Sequence, residues 1–346
     1  MIPVEFIFNP NWWFRNYGIS FEEAFYLERE RRIHNDVVMR RALHERFGFG
    51  QPDPRREPVI GSRHIAGGFV IPALLGVPIR FLDDQAAWAV PLNLSREQIL
   101  ALRVPDIETT WPMNHIIADM DALEKEFGYV VGDLNTGGLI NTGLELRGQE
   151  LFLDLVEAPE VVDHLFSVVG ETQARVARCV RSRTGTSSVA VNRSIVNVDP
   201  QIYVHSNCSA QMISPRLYER VLLAHECRLA AELRPYGIHH CGNNLHRLAG
   251  AYSTTGAVFY DVGWGSDVAE SSRMLPDAFL NLRLDPVRML REPASAIRED
   301  AERLLAAAGR SEKVGLCCIN MDFGTPEGNV RTVLEVAEGC RPSGPA

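Results

Sequence analysis

The polar run at residues 236–244 holds the side chains of this sequence that are best suited to chemistry. Within it, His239 and Cys241 are separated by one residue, so an imidazole nitrogen and a thiolate sulfur can both reach one metal ion. Zinc accepts both donors in tetrahedral geometry, and three protein ligands leave one position open for a substrate. A third donor must come from another strand end, and the adjacent Cys317 and Cys318 follow a later apolar run. The pattern is consistent with a zinc site and leaves open which later cysteine would complete it.

A purely structural role is the competing interpretation of the same residues. Free cysteine is among the residue types most often buried, and one His-x-Cys pair is a weak signal by itself. The sequence has two clusters of such residues after predicted strands, His239 with Cys241 and Cys317 with Cys318. Together they support the metal-binding and the structural interpretations about equally. Other polar residues at predicted strand ends could serve chemistry, or could only cap helices and tie loops; they are Asp133, Asn135, His205, Asn207, Tyr260, Asp261, Asn320 and Asp322.

Aromatic and polar side chains indicate how a substrate could be held. The N-terminal run at residues 12–17 contains two tryptophans, a phenylalanine and a tyrosine. It could line a pocket for an aromatic ligand, or it could pack onto the rest of the fold or a subunit interface. Polar groups near the predicted strand ends could orient a substrate hydroxyl or carboxylate. The candidate substrate-binding residues are His240, Asn207, Tyr260, Asp322 and Trp13.

The elements that must position these side chains follow a repeating pattern from about residue 115 onward. A short apolar run, a polar loop and a helical stretch alternate, as is typical of βα units on a parallel sheet. The predicted strands lie near residues 127–133, 188–191, 257–261, 279–282 and 314–316. Five or more units without a Gly/Ser linker predict a single (β/α)8 TIM-like barrel over residues 1–346, with an N-terminal helical and aromatic extension over residues 1–50. Active sites of such barrels lie on the loops after the strands.

Composition and charge exclude several classes of protein. The chain has 346 residues and a net charge of −9, with 35 Lys and Arg against 44 Asp and Glu. It has no basic run of the kind that tracks nucleic-acid phosphates, and no apolar stretch of about 18 residues that would predict a membrane span. The seven cysteines are odd in number and include an adjacent pair, which indicates reduced thiols in the cytoplasm. A small molecule or a protein is therefore the expected partner.

Four ordered motifs resemble the uroporphyrinogen decarboxylase superfamily: residues 213–218 (ISPRLY), 237–242 (GIHHCG), 284–286 (LDP) and 324–330 (GTPEGNV). The His-x-Cys with a late cysteine resembles the zinc-dependent, corrinoid-linked methyltransferases of that superfamily. This resemblance implies a TIM-like barrel with zinc held by His239, Cys241 and either Cys317 or Cys318. The spacing to the last motif favours Cys318.

The sequence departs from this pattern in two places. The decarboxylase has an arginine-rich N-terminal segment for porphyrinogen carboxylates, whereas here residues 9–14 read NPNWWF and Arg15 stands alone. Decarboxylation of a polycarboxylate tetrapyrrole is therefore not expected. In addition, Arg283 precedes the Leu-Asp-Pro motif where an asparagine is common, and we assign it no role at this stage.

The resemblance implies methyl transfer between a small substrate and the cobalt of a corrinoid. No D-x-H-x-x-G corrinoid-binding signature occurs in the chain, so a separate corrinoid protein is expected to carry the cobalt. We favour demethylation of a methoxylated, aromatic compound. The alternatives are cobalamin-dependent methylation of a thiol and a metal-free, decarboxylase-like or tetrapyrrole-binding barrel. A homodimer is an option that the sequence leaves open.

Overall fold

Six parallel strands form the curved sheet at the centre of the protein, in the order β1-β8-β7-β6-β5-β4. The computed structural model describes residues 2–132, 134–186 and 198–340. The six strands are β1 (Val4–Phe8), β4 (Tyr203–Ser206), β5 (Tyr236–His240), β6 (Phe259–Val262), β7 (Phe279–Arg283) and β8 (Val314–Met321). A separate antiparallel hairpin consists of β2 (Ile79–Leu82) and β3 (Gln85–Ala89). The half-barrel of parallel strands confirms the predicted TIM-like fold.

Helices connect the strands and cover the outside of the sheet. They span Pro10–Tyr17, Glu23–Leu27, Arg29–Phe47, Val70–Leu74, Arg96–Ala101, Met113–Phe127, Leu139–Arg147, Leu151–Glu157, Pro159–Thr184, Pro215–Val221, Leu223–Glu232, Leu245–Ser253, Val268–Met274, Pro286–Arg291, Ala294–Ala308 and Glu327–Gly339. Short 3-10 turns cover Gly148–Glu150 and Cys208–Met212.

Local signals in the sequence set several helix ends. The Ser214 hydroxyl accepts a hydrogen bond from the Leu217 N–H and caps the helix that Pro215 begins. Gly48 ends the helix Arg29–Phe47 with φ 79°, a left-handed conformation that favours glycine.

The N-terminal segment and one predicted strand need separate comment. Val4–Phe8 pairs in parallel with β8, so the N-terminal region supplies a strand of the sheet as well as helices. The sequence analysis assigns this region only to an extension, because one short strand has no periodicity of its own. An isolated parallel bridge joins Val59 and Val131. The strand predicted at residues 188–191 and the polar Asp133 lie outside the described residues.

Alternation along the strands divides the side chains between two faces. On β8, Leu316 and Cys318 belong to the main core against the helices, whereas Cys317 and Ile319 pack with Ile7 in a separate small cluster. Another small cluster contains Ile202, Val204 and Phe259, with Phe279 packed against it. These small clusters fill the inner face of the sheet, as in other barrels of parallel strands. No helix in the described part of the chain has the length and hydropathy needed to cross a membrane.

Candidate metal centre

Three sulfur and nitrogen donors converge at the C-terminal ends of β4 and β5. His239 lies near the end of β5 and Cys241 follows that strand, while Cys208 begins the 3-10 turn after β4. The strands are hydrogen-bonded neighbours with Ser206 opposite His239. This register places the two loops side by side, and all three ligand atoms lie within 4.8 Å of one another.

The contacts within this group define its electrostatics. The Nε2 atom of His239 lies 3.3 Å from the Cys241 sulfur. A hydrogen bond from the Cys208 thiol, the His239 imidazole and the Arg283 guanidinium together lower the pKa of Cys241. The same bond to Cys241, together with burial, raises the pKa of Cys208 well above its usual range. These contacts favour the thiolate form of Cys241 over that of Cys208.

A buried row of hydrogen bonds orients the imidazole. His239, Asp261 and Asn281 stand opposite one another on β5, β6 and β7. Asp261 Oδ2 lies 2.6 Å from His239 Nδ1, and the Asn281 amide donates to Asp261 Oδ1 at 2.7 Å. Burial lowers the pKa of His239, but the Cys241 thiolate and the Asp261 carboxylate outweigh this effect and raise it. The Asp261 carboxylate can only accept, so it holds a proton at Nδ1, and Nε2, which lies toward the sulfurs, is the nitrogen that would bind a metal once it is deprotonated.

The structure does not bring Cys317 or Cys318 into this group, in contrast to the sequence prediction. Cys318 points to the opposite face of β8 and lies in the main core. Cys317 is on the inner face, but β8 is three strands away from β5, about 14 Å along the sheet. Arg283 is the register partner of Cys317 on the intervening β7, and its side chain reaches Cys241. Cys208, on the neighbouring β4, takes the place predicted for a late cysteine.

Most of the predicted substrate-binding residues are buried and paired within the protein. His240 faces away from His239, with Nδ1 2.9 Å from the Tyr252 hydroxyl and Nε2 2.8 Å from the Asn244 amide oxygen. Burial lowers the pKa of His240 to about 4, so its imidazole is neutral. The Tyr260 hydroxyl donates to the carbonyl of Tyr252 at 3.2 Å. His240 and Tyr260 therefore support the loop and the core instead of contacting the three donors.

The remaining candidates also have structural partners. The Asn207 amide donates to Glu226, and its backbone N–H donates to the carbonyl of His239 at 2.7 Å, which ties β4 to β5. Trp13 is fully buried in an aromatic cluster beside Trp12. Only Asp322 is partly exposed, and its carboxylate accepts a hydrogen bond from the Asn11 amide at 2.7 Å. These contacts correspond to the structural alternatives given for these residues.

Four residues that the sequence does not assign to the metal site belong to this group or contact it: Cys208, Asp261, Asn281 and Arg283. The sequence does hold a clue to Cys208. This cysteine directly follows the polar run His205-Ser206-Asn207, which lies at a predicted strand end. Asp261 is recognised only as one polar strand-end residue among many. Asn281 lies inside an apolar run, and Arg283 is noted only as a departure from a motif. Their shared role depends on register across neighbouring strands.

Comparisons with known proteins agree with this architecture. The family model for uroporphyrinogen decarboxylase (URO-D) matches residues 145–339, which is more than half of the chain. No curated protein matches the chain. Among solved structures, a methyltransferase from Methanosarcina mazei has a similar fold, with a TM-score of 0.67 at 13% sequence identity over 98% of this chain and 94% of that one. The chain belongs to the uroporphyrinogen decarboxylase family.

Proposed function

We propose that this protein is a zinc-dependent methyltransferase that moves a methyl group between a small substrate and the cobalt of a corrinoid carried by a partner protein. The observation that supports this proposal most strongly is the convergence of Cys208, His239 and Cys241 at the C-terminal edge of the sheet. Loops at this edge form the active sites of parallel barrels. The methyltransferase of similar fold adds support for the activity.

The donor set fits zinc by its chemistry. Two sulfurs and one imidazole nitrogen are ligands that zinc prefers, and a three-ligand site keeps one position for a substrate atom. The Asp261 carboxylate behind His239 is the outer partner that orients ligating histidines in zinc sites. His239 is fully buried, whereas both cysteines are partly exposed, so the open position would face the solvent side.

The residues of this chain would hold the metal and orient its ligands. Bound zinc would supply Lewis acidity, which activates a substrate thiol or stabilises a departing oxygen anion. Both cysteines would bind the metal as thiolates, and the thiolate form is favoured more at Cys241 than at Cys208. His239 keeps its Nδ1 proton on Asp261 and presents Nε2. We propose a methoxylated compound as the methyl donor.

Exposed apolar side chains near the mouth of the barrel favour docking of a partner protein. Phe14, Met212, Trp264 and Phe323 each lie in a segment that follows a different strand of the sheet, and each is between 38% and 61% exposed. Segments that follow parallel strands lie at one end of the sheet, and exposed apolar side chains that form a continuous patch are typical of interaction sites. A corrinoid protein seated there would bring its cobalt toward the three donors.

Metal analysis of purified protein and its variants tests the proposed site. We expect about one zinc per chain in the wild-type protein. C208A, H239A and C241A should each lose zinc. The matched control C227A, which alters a half-buried cysteine outside the group, should keep it. C318A separates the two assignments of the third ligand: retained zinc in C318A and lost zinc in C208A supports Cys208, and the reverse result contradicts it.

A methyl-transfer assay tests the reaction. Cob(I)alamin with methoxylated aromatic compounds should yield methylcobalamin, which is followed by its visible absorbance, and the rate should depend on zinc. Methylcobalamin with a thiol tests the opposite direction of transfer. A metal-free wild-type protein of normal stability, or a zinc-loaded protein without either activity, would overturn the proposed function.

A further inference from the structure

Arg283 differs from the other buried arginines in its partners. Its side chain is 2% exposed. Arg32 and Arg40 are similarly buried, and each forms an ion pair at 2.7 Å with a carboxylate. Within the described residues, Arg283 has no such ion pair, and its hydrogen bond runs from Nη1 to the Cys241 sulfur at 3.2 Å. The guanidinium is therefore anchored on a proposed metal ligand.

The charge of Arg283 requires an anion in its surroundings. A guanidinium stays protonated in proteins, and an uncompensated buried charge is costly. The Cys241 sulfur, 3.2 Å from Nη1, is the hydrogen-bond acceptor of the guanidinium among the described residues, and a thiolate is an anion. Because the sulfur compensates this charge, Arg283 and Cys241 form one unit.

A metal-bound thiolate is itself a nucleophile that competes with the substrate for a methyl group. In the unwanted reaction an S–CH3 bond would form at Cys241 while the carbon–cobalt bond of the methyl corrinoid breaks and cobalt keeps the electron pair. The ligand would become a neutral thioether and a poorer zinc ligand. An N–H group that donates to the sulfur occupies one of the sulfur lone pairs and so lowers the nucleophilicity of the sulfur. The effect is large because hydrogen bonds to charged acceptors are the strong ones.

We propose that Arg283 is a positioning residue that fixes the Cys241 sulfur by its N–H···S hydrogen bond and protects it from methylation. The inference rests on the metal centre of the proposed function. It concerns a property of the ligand sulfur that can be measured without the methyl-transfer reaction.

Methylation of the zinc-loaded protein by iodomethane tests the inference. R283M keeps an apolar stem and removes the donor, R283K restores a cation, and R288M changes a surface arginine five residues further on. The rate of methylation at Cys241 and at Cys208 is measured by peptide mass spectrometry. In R283M, we expect Cys241 to be methylated about tenfold faster, the ratio that corresponds to about 1.4 kcal/mol, with Cys208 unchanged. R283K should lie between R283M and wild type, and R288M should match wild type.

A spectroscopic readout separates this role from a purely structural one. In the cobalt(II)-substituted protein, loss of the N–H···S bond raises the energy of the sulfur electrons, so the sulfur-to-cobalt charge-transfer band should shift to longer wavelength in R283M. If R283M does not fold, R283K provides the comparison, with a smaller shift in the same direction. Unchanged band position and unchanged Cys241 methylation in a fully metal-loaded variant would overturn the inference alone. A wild-type chain that binds no metal would overturn it together with the proposed function.

Discussion

Replacement of Asp261 by asparagine tests whether the buried row behind His239 prepares the imidazole for a metal. The carboxylate lies 2.6 Å from His239 Nδ1, and it accepts a hydrogen bond from Asn281 at 2.7 Å. In D261N the remaining oxygen can still face His239, but the new amide group then opposes the Asn281 amide group. Asn281 Oδ1 is buried and has no hydrogen-bond partner among the residues that the structure describes, so a flip of the Asn281 amide relieves this conflict. We expect D261N to fold and to lose the negative charge behind the ligand.

The expected loss of zinc affinity in D261N follows from the role of residues that hydrogen-bond a metal-binding histidine. Their loss commonly weakens metal binding by about 10- to 100-fold, which is about 1.4 to 2.7 kcal/mol. The assay is competition for zinc with a chromogenic chelator at fixed pH. The control is D267N, since Asp267 is an exposed helix cap that follows the same strand and asparagine caps helices equally well. Zinc affinity of D261N equal to that of wild type and D267N would refute the role of Asp261 in orienting His239.

Three further predictions concern stability and are measured by urea unfolding. Burial raises the pKa of Glu226 from 4.5 to about 7 in the folded protein. The folded state therefore holds the extra proton, and roughly 3 kcal/mol of stability is lost as the pH rises from about 4.5 through 7; E226Q should remove this slope. S95A eliminates the capping-box hydrogen bond from the Gln98 N–H to the Ser95 hydroxyl and should lower the free energy of unfolding by about 1 kcal/mol; an unchanged value would contradict the cap. R147M leaves the buried Asp154 with Arg96 as its ion-pair partner and should cost up to about 3 kcal/mol, whereas R273M, which breaks an exposed ion pair, should leave the free energy of unfolding nearly unchanged.

Local sequence signals account for most of the fold. Alternation of apolar runs with helical stretches predicts the βα units, and caps such as Ser214 and Gly48 mark helix ends because they act within one turn of the chain. The strand Val4–Phe8 is missed because its partner β8 lies more than 300 residues away and its own five residues carry no clear pattern. Long-range pairing of this kind leaves no local trace.

The residues of the candidate site also fall into two groups, those predictable from local sequence and those set by the tertiary structure. The sequence by itself identifies His239 and Cys241 as possible joint ligands, because the two residues are near neighbours and their relative position depends on one strand end. The third donor depends on which strand lies beside β5, and the sheet order places β4 and Cys208 there, whereas β8 lies three strands from β5. Register across β5, β6 and β7 adds Asp261 and the neighbouring amide. Ligand identity beyond the local pair is therefore a property of tertiary structure, since neighbouring parallel strands join residues that the chain separates by whole helices.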